Sequence, residues 1–259
     1  RRPKVLFTST FDVHGHTLHK PPPRRVTDPL VATDPYTEQK IAAEELVRGS
    51  GLEWCIFRLA DVPVIGLRDP HPIMFEIGLD NRIESLHADD AAVALARALR
   101  TSEAWGRILF VGGGPSCQLT YREYLARMLG AMGIGALPEE AFSRAEYVTD
   151  WIDSTEAQAL LRYQRRSFDD IVADVAACLG WKRRLVPVAA PAVRRAMERE
   201  TARLAGGGHA LAFYDVPLLY EVGLDRALDC FVSLDVHVDR LSHVGKGNRV
   251  SLIHRDQVG

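Results

Sequence analysis

Tyr36 and Lys40 stand four residues apart in a stretch, YTEQKIAAEELVR, that favours helix, so their side chains fall on one helix face. An ammonium held beside a phenol favours phenolate. It is therefore expected to bring the tyrosine down from its usual pKa of about 10 and make it a usable acid and base. Thr10, at the end of the preceding strand, can add a hydroxyl to the same site. The ends of parallel strands are where α/β proteins place ligands.

The elements that must hold these residues read as follows. Lys4 to Thr8 (KVLFT) is a short β-favouring run, ended by Ser9, Thr10 and then Gly15. Pro21, Pro22, Pro23, Pro29 and Pro35 deny regular structure to residues 18–35. A helix is expected over 36–48, stopped by Gly49 and Gly51, followed by strands at Trp54 to Leu59 and Ile108 to Val111. Asp89 and Asp90 can cap a helix running to Leu99. Thr120 with Glu123, and Ser167 with Asp170, are capping-box patterns that open helices reaching about Leu129 and Gly180. Apolar strands alternating with helices predict an α/β fold built on a parallel sheet. After Trp181 the texture changes to a basic run, prolines, a charged helix over 193–204 and strand-like runs at 210–214 and 230–234. A boundary is expected near Ala196.

The 259 residues carry 32 Lys+Arg against 34 Asp+Glu, a net charge of -2, with 47% hydrophobic residues. That balance excludes a disordered chain and gives no long-range pull toward nucleic acid or anionic membranes. A small-molecule partner is expected instead. Cys55, Cys117, Cys178 and Cys230 never fall in a CxxC pair, which argues against structural zinc and against a disulfide framework. No apolar run approaches membrane-spanning length, and the expected setting is the cytoplasm. The chain opens on Arg1, Arg2 and Pro3 rather than Met, from which truncation or processing is expected.

Four motifs in order, KVLFTSTFDVHG, DPYTEQK, WCIFRLADVPVIG and RIESLHADDAA, resemble the extended short-chain dehydrogenase/reductase family, in its NAD-dependent epimerase/dehydratase group. The resemblance covers about Lys4 to Leu185. It implies a partial Rossmann-like sheet with a small C-terminal substrate-binding lobe, over residues 1–196. It also implies a catalytic set of Thr10, Tyr36 and Lys40, with Thr10 preferred to Ser9 because it stands five residues before Gly15. Tyr36 would exchange the proton of a substrate hydroxyl, Lys40 would also hold the nicotinamide ribose, and Ala60, Asp61 and Val62 would line nicotinamide and substrate. NAD or NADP is the implied cofactor, a sugar nucleotide or similar metabolite the implied substrate, and a homodimer the family expectation.

One departure is sharp. The family holds the cofactor pyrophosphate on a glycine-rich turn between its first strand and first helix. No such turn occurs in these residues. Gly112, Gly113 and Gly114 follow a strand, but Cys117 stands where a GxGxxG pattern needs its last glycine and Pro115 removes a donor, so a plain turn is expected. The expectation is that the first βαβ units belong to a longer protein and that this chain alone binds dinucleotide poorly. A non-catalytic relative that senses a dinucleotide or binds a partner is the alternative. Glu198 to Asp229 resembles a piece of dephospho-coenzyme A kinase, giving an appended α/β tail over 197–259. No GxxxxGK[ST] cradle occurs, so kinase activity is not expected.

Other polar clusters have plainer readings. His14, His16 and His19 keep no metal-ligand spacing with carboxylates or cysteines and read as a solvated loop; His237 and His243 read likewise. His87 beside Asp89 and Asp90 reads as helix capping by an aspartate. Asp150, Trp151 and Asp153 form a loop that either meets substrate or pins itself to the core. Lys182 to Arg184 read as a solvated basic face.

Overall fold

Three apolar runs become adjacent parallel strands in the computed structural model, which describes residues 3–65, 73–184, 212–213 and 251–252. β1 (Lys4–Thr10), β2 (Glu53–Leu59) and β4 (Ile108–Val111) form one sheet in the order β1-β2-β4. Lys4 to Thr10 pair with Glu53 to Leu59 in parallel, and Ile56 to Leu59 pair with Ile108 to Val111. Cys55, Ile56 and Phe57 on the middle strand are fully buried, as expected of a strand covered on both faces. Among the described residues the outer edge of β1 is unpaired.

α1 (Pro35–Gly49) crosses from β1 to β2, one residue longer at each end than the sequence predicts. Its start is fixed by a reciprocal cap. Asp34 Oδ1 accepts the Thr37 N–H at 2.7 Å, Thr37 Oγ1 accepts the Asp34 N–H at 3.1 Å, and Pro35 occupies the first turn, where a missing donor costs nothing. α2 (Ile73–Glu76) and β3 (Arg82–Glu84) follow β2.

α3 (Ala88–Ala98) corrects one expectation. Its cap is His87, whose Nδ1 accepts the Asp89 N–H at 3.0 Å while Nε2–H donates to Asp174 at 3.0 Å. Asp90 instead is buried and accepts the backbone N–H groups of Arg165 and Arg166 at 2.8 and 2.9 Å. An aspartate and a histidine both satisfy a helix start, and here the residue two positions before Asp89 wins.

β5 (Gln118–Thr120) pairs antiparallel with β3. Three-residue strands carry too little periodicity to be read from sequence. α4 (Tyr121–Met132), α5 (Thr155–Leu161) and α6 (Phe168–Leu179) complete the helices. Both predicted capping boxes form: Thr120 with Glu123 at 2.9 and 3.3 Å, and Ser167 with Asp170 at 2.7 and 3.3 Å.

The core gathers Phe57, Leu86, Leu109, Phe110, Leu161 and Tyr163 around the sheet. These residues lie in the first of two compact units, which takes Arg1–Ile65, Pro72–Met128 and Ala136–Val175; the second takes Gly66–His71, Leu129–Gly135 and Ala176–Gly259. In the second unit a short turn over Gly180–Arg184 exposes Arg183 and Arg184. β6 (Ala212–Phe213), within the expected run at 210–214, pairs antiparallel with β7 (Ser251–Leu252). The boundary near Ala196, the helix over 193–204, the run at 230–234, and His237 and His243 lie outside the described residues.

Candidate active site

At the carboxyl ends of β1 and β2 lies a cleft of about 410 Å³, lined by Thr10, Asp12, Tyr36, Lys40 and Ala60 to Val62. Ile73, Ile77, Ile83, Tyr147 and Thr149 complete its walls. All six residues singled out from the sequence therefore meet in one place. Thr10 and Asp12 come from the end of β1, Tyr36 and Lys40 from α1, and residues 60–62 from the loop after β2.

Each wall is fixed by backbone chemistry. The Ala60 N–H donates to the Val111 carbonyl at 3.0 Å, the Asp61 N–H to Glu84 at 3.2 Å, and the Leu86 N–H to Asp61 at 2.7 Å. Thr10 is 9% exposed and caps the short turn Phe11–His14, its Oγ1 accepting the Asp12 N–H at 3.2 Å. Two strand ends and a capped turn thus hold the hydroxyl of Thr10 at the cleft.

The phenol and the ammonium do not interact as their spacing suggests. Lys40 Nζ donates to the Thr8 carbonyl at 3.1 Å and lies 5.5 Å from the Tyr36 ring centre and 5.3 Å from that of Phe7. It sits against the ring faces, a cation–π arrangement, rather than at the phenol oxygen. Burial pushes the Tyr36 pKa up, and the negative charge of Asp12 pushes it the same way. The expected lowering is therefore corrected to a raising.

Asp12 also lines the cleft, and the sequence reading missed it. Loss of hydration raises its carboxyl from 3.8 to about 6, opposed by hydrogen bonding to Thr10 and helped by the charges of Asp61 and Asp34. Its signal was available, since it stands two residues beyond Thr10 in the turn that closes the strand. Tyr147, raised to about 12 by burial and by Asp12, was missed because only the fold brings residue 147 to this cleft.

The histidine loop is also corrected. His16 and His19 are exposed, but His14 is 2% exposed and packed edge-on against Phe110 at 5.3 Å between ring centres. Arg58 donates to His14 Nε2 at 3.0 Å, which leaves the proton on Nδ1, 3.1 Å from the Pro29 carbonyl. Burial first and the Arg58 charge second lower its pKa to about 4, so it stays neutral. Asp150 is equally occupied. Fully buried, it accepts from Thr17 at 2.6 Å and Arg82 at 2.5 Å, with Arg24 at 3.5 Å. Trp151 Nε1 donates to the Leu119 carbonyl at 3.0 Å, and Asp153 caps Thr155 at 3.1 Å, so this loop is pinned rather than offered to substrate.

The cleft suits the nicotinamide end of a dinucleotide: a hydroxyl, a phenol and an ammonium face an apolar wall at strand ends. The turn Gly112 to Gly114 does not suit a pyrophosphate. The Gly114 N–H is already bound to Glu84 Oε1 at 3.0 Å, and a carboxylate there repels an anion. A Cβ at Gly113 would fall inside contact distance of the Ser85 carbonyl and of Cys117, so these glycines serve close packing. Among the described residues no group of three or more His, Cys, Asp or Glu is placed to hold a metal ion. No helix among them is long and apolar enough to cross a membrane.

No family model matches the chain. Solved structures share its fold. A UDP-glucuronic acid 4-epimerase mutant from Bacillus cereus, in complex with UDP-4-deoxy-4-fluoro-glucuronic acid and NAD, superposes with a TM-score of 0.56 at 19% identity over 68% of this chain and 61% of that one. A dTDP-glucose 4,6-dehydratase double mutant from Streptomyces venezuelae with NAD gives 0.54 at 21% identity, over 68% and 59%. A short-chain dehydrogenase/reductase superfamily protein from Agrobacterium tumefaciens with bound NAD gives 0.56 at 14% identity, over 71% and 68%. A stretch of 66 residues is 58% identical to dephospho-CoA kinase of Anaeromyxobacter dehalogenans (strain 2CP-C), covering 24% of this chain and 31% of that protein. The chain thus combines the Rossmann-type fold of these dehydrogenase-like enzymes with a segment similar to the kinase. It spans only about three-fifths of the first of these solved enzymes and under a third of the kinase.

Proposed function

We propose that this chain supplies the substrate- and nicotinamide-facing part of an NAD(P)-dependent epimerase, dehydratase or reductase acting on a sugar nucleotide or a similar hydroxyl or carbonyl metabolite. The observation that carries this reading is the meeting of Thr10, Tyr36, Lys40 and Ala60 to Val62 in one cleft at the ends of β1 and β2. The fold shared with NAD-bound enzymes supports it.

In this reading Thr10 Oγ1 hydrogen-bonds the substrate oxygen and orients it toward Tyr36. The phenol, held in its protonated form by burial and by Asp12, donates its proton to a carbonyl oxygen when the substrate is reduced, and in the reverse direction the phenolate takes up the proton of a substrate hydroxyl as the substrate is oxidised. Lys40, drawn from the Thr8 carbonyl, holds the nicotinamide ribose, and residues 60–62 with Ile73 and Ile77 exclude water from the reacting atoms. The nicotinamide, when bound, supplies the hydride acceptor or donor. A small-molecule partner, a homodimeric assembly and a cytoplasmic setting belong to the same proposal.

A second reading, a non-catalytic relative that senses a dinucleotide or binds a partner, is favoured by one feature: the described residues offer no pyrophosphate cradle, the Gly112 to Gly114 turn being filled by Glu84. The kinase-like segment comes without a P-loop in these 259 residues, which argues against phosphoryl transfer. Titration of the natively expressed protein with NAD(H) and NADP(H), beside exchange of deuterium from ring-deuterated UDP-sugars into NAD+ or NADP+, separates the first two. Binding with exchange supports the enzyme; binding without exchange supports the sensor.

A further inference from the structure

Five buried side-chain atoms among the described residues have no hydrogen-bond partner, and two of them, Ser9 Oγ and Thr149 Oγ1, belong to residues that line the cleft. Ser9 pairs in register with Arg58, whose side chain runs to Glu44 on α1, so its hydroxyl shares the sheet face beneath that helix. Thr149 is placed differently. It stands in a loop pinned on either side of it: the Tyr147 N–H donates to Asn81 Oδ1 at 2.8 Å, and the Asp150 carboxylate accepts from Thr17 at 2.6 Å and from Arg82 at 2.5 Å. Tyr147 and Thr149 line the cleft, while Asp150 is held in the interior. Thr10 Oγ1 has its own duty as the cap that accepts the Asp12 N–H. The Thr149 hydroxyl, on a residue 7% exposed, has none: it loses hydration and gains no bond that would hold the loop.

On the premise that the sugar-nucleotide reading above holds, we propose that Thr149 reads a second oxygen of the sugar ring, distinct from the one that Thr10 and Tyr36 address. The site thereby selects a ring that carries a hydroxyl at that position over a ring that lacks it. The loop is fixed, so only the side chain has to move: a χ1 turn of one staggered well brings the shielded Oγ1 round to the cleft. A ring hydroxyl can then donate to Oγ1 or accept its proton, since each group is both donor and acceptor. A deoxy carbon offers neither. It leaves Oγ1 buried without a partner, the situation in which a site discriminates most sharply against an analogue short of one hydroxyl. The side chains of Ile77 and Ile83 on the same walls are apolar and cannot take its place.

The test is calorimetric titration of the natively expressed protein with UDP-glucose, dTDP-glucose and the monodeoxy analogues of whichever binds. The wild type binds at least one monodeoxy analogue about tenfold or more weakly than the parent sugar nucleotide. Thr149→Val binds the parent at least about tenfold more weakly and no longer separates it from that analogue, whereas Thr149→Ser, which keeps the hydroxyl, still does. Denaturant unfolding gives a second readout. Because Oγ1 has no partner to lose, Thr149→Val unfolds at the same or a higher denaturant concentration than the wild type, where a structural hydroxyl would lower it. Equal binding of every analogue by the wild type, a folded Thr149→Val that keeps the wild-type affinity and preference, or a Thr149→Val less stable than the wild type overturns the assignment and leaves the sugar-nucleotide reading standing. Binding of neither sugar nucleotide by the wild type overturns that reading, and the assignment with it.

Discussion

Glu44 on α1 and Arg58 on β2 meet as a two-pronged ion pair, Arg58 Nε 3.0 Å from one carboxylate oxygen and a terminal nitrogen 2.7 Å from the other, both side chains 3% exposed. The same guanidinium reaches the Val26 carbonyl and His14 Nε2, each at 3.0 Å. One residue thereby ties together the helix carrying Tyr36 and Lys40, the turn carrying Asp12 and the proline-rich loop. Removing one partner leaves a buried charge uncompensated. Glu44→Ala is expected to cost about 3–5 kcal/mol in denaturant unfolding, whereas breaking the exposed Lys4–Glu53 pair by Glu53→Ala costs under about 1 kcal/mol.

The Asp12 carboxyl is expected to titrate near 6 when followed by carbon-13 NMR. Asp61→Asn removes a raising charge and moves that value down. Thr10→Val removes a hydrogen bond that favours the charged form and moves it up. Opposite signs from two neighbours check the account of the site's electrostatics. A value unmoved by both contradicts it.

Glu84 accepts from Gly114, Ile152 and Gln118 at 3.0, 3.0 and 2.8 Å, yet burial raises its pKa from 4.5 to about 7. The folded state therefore binds its proton more tightly than the unfolded state. Its contribution is fully present below about pH 4.5 and is lost as pH rises toward 7, by on the order of 3 kcal/mol. His14 works in the other sense: lowered to about 4, it costs stability as pH falls from 6.5 through 4. Unfolding free energies measured from pH 4 to 8 should show the falling slope disappear in Glu84→Gln and the acid loss shrink in His14→Gln.

Gly113→Ala is expected to destabilise the fold by about 1–3 kcal/mol, because the new methyl meets the Ser85 carbonyl and Cys117 Sγ. Dinucleotide affinity of the folded fraction should not change, since this turn packs against the interior. A loss of dinucleotide binding with stability intact would show instead that the turn faces a phosphate.

Much of the fold was legible because its signals are local. Thr120 with Glu123, and Ser167 with Asp170, each sit within one turn and carry their own hydrogen-bond logic. The apolar strands β1, β2 and β4 were readable for the same reason. What escaped notice depends on distant partners. The pairing of β3 with β5 joins residues more than thirty apart through three-residue strands. His14 is buried by Arg58 and Pro29, neither of which its neighbours announce. The i, i+4 spacing of Tyr36 and Lys40 correctly put both on one face. It could not show that the ammonium prefers the Thr8 carbonyl, nor that Asp12, from another element, governs the phenol.

The central claim is that Tyr36 exchanges the proton in this cleft. Its most direct test compares natively expressed wild-type protein with Tyr36→Phe, measuring deuterium exchange from ring-deuterated UDP-sugars into NAD+ together with NADH affinity. A fall in exchange of at least about a hundredfold, with NADH affinity unchanged, is the predicted result. Equal exchange by both proteins, or none by the wild type, would contradict it.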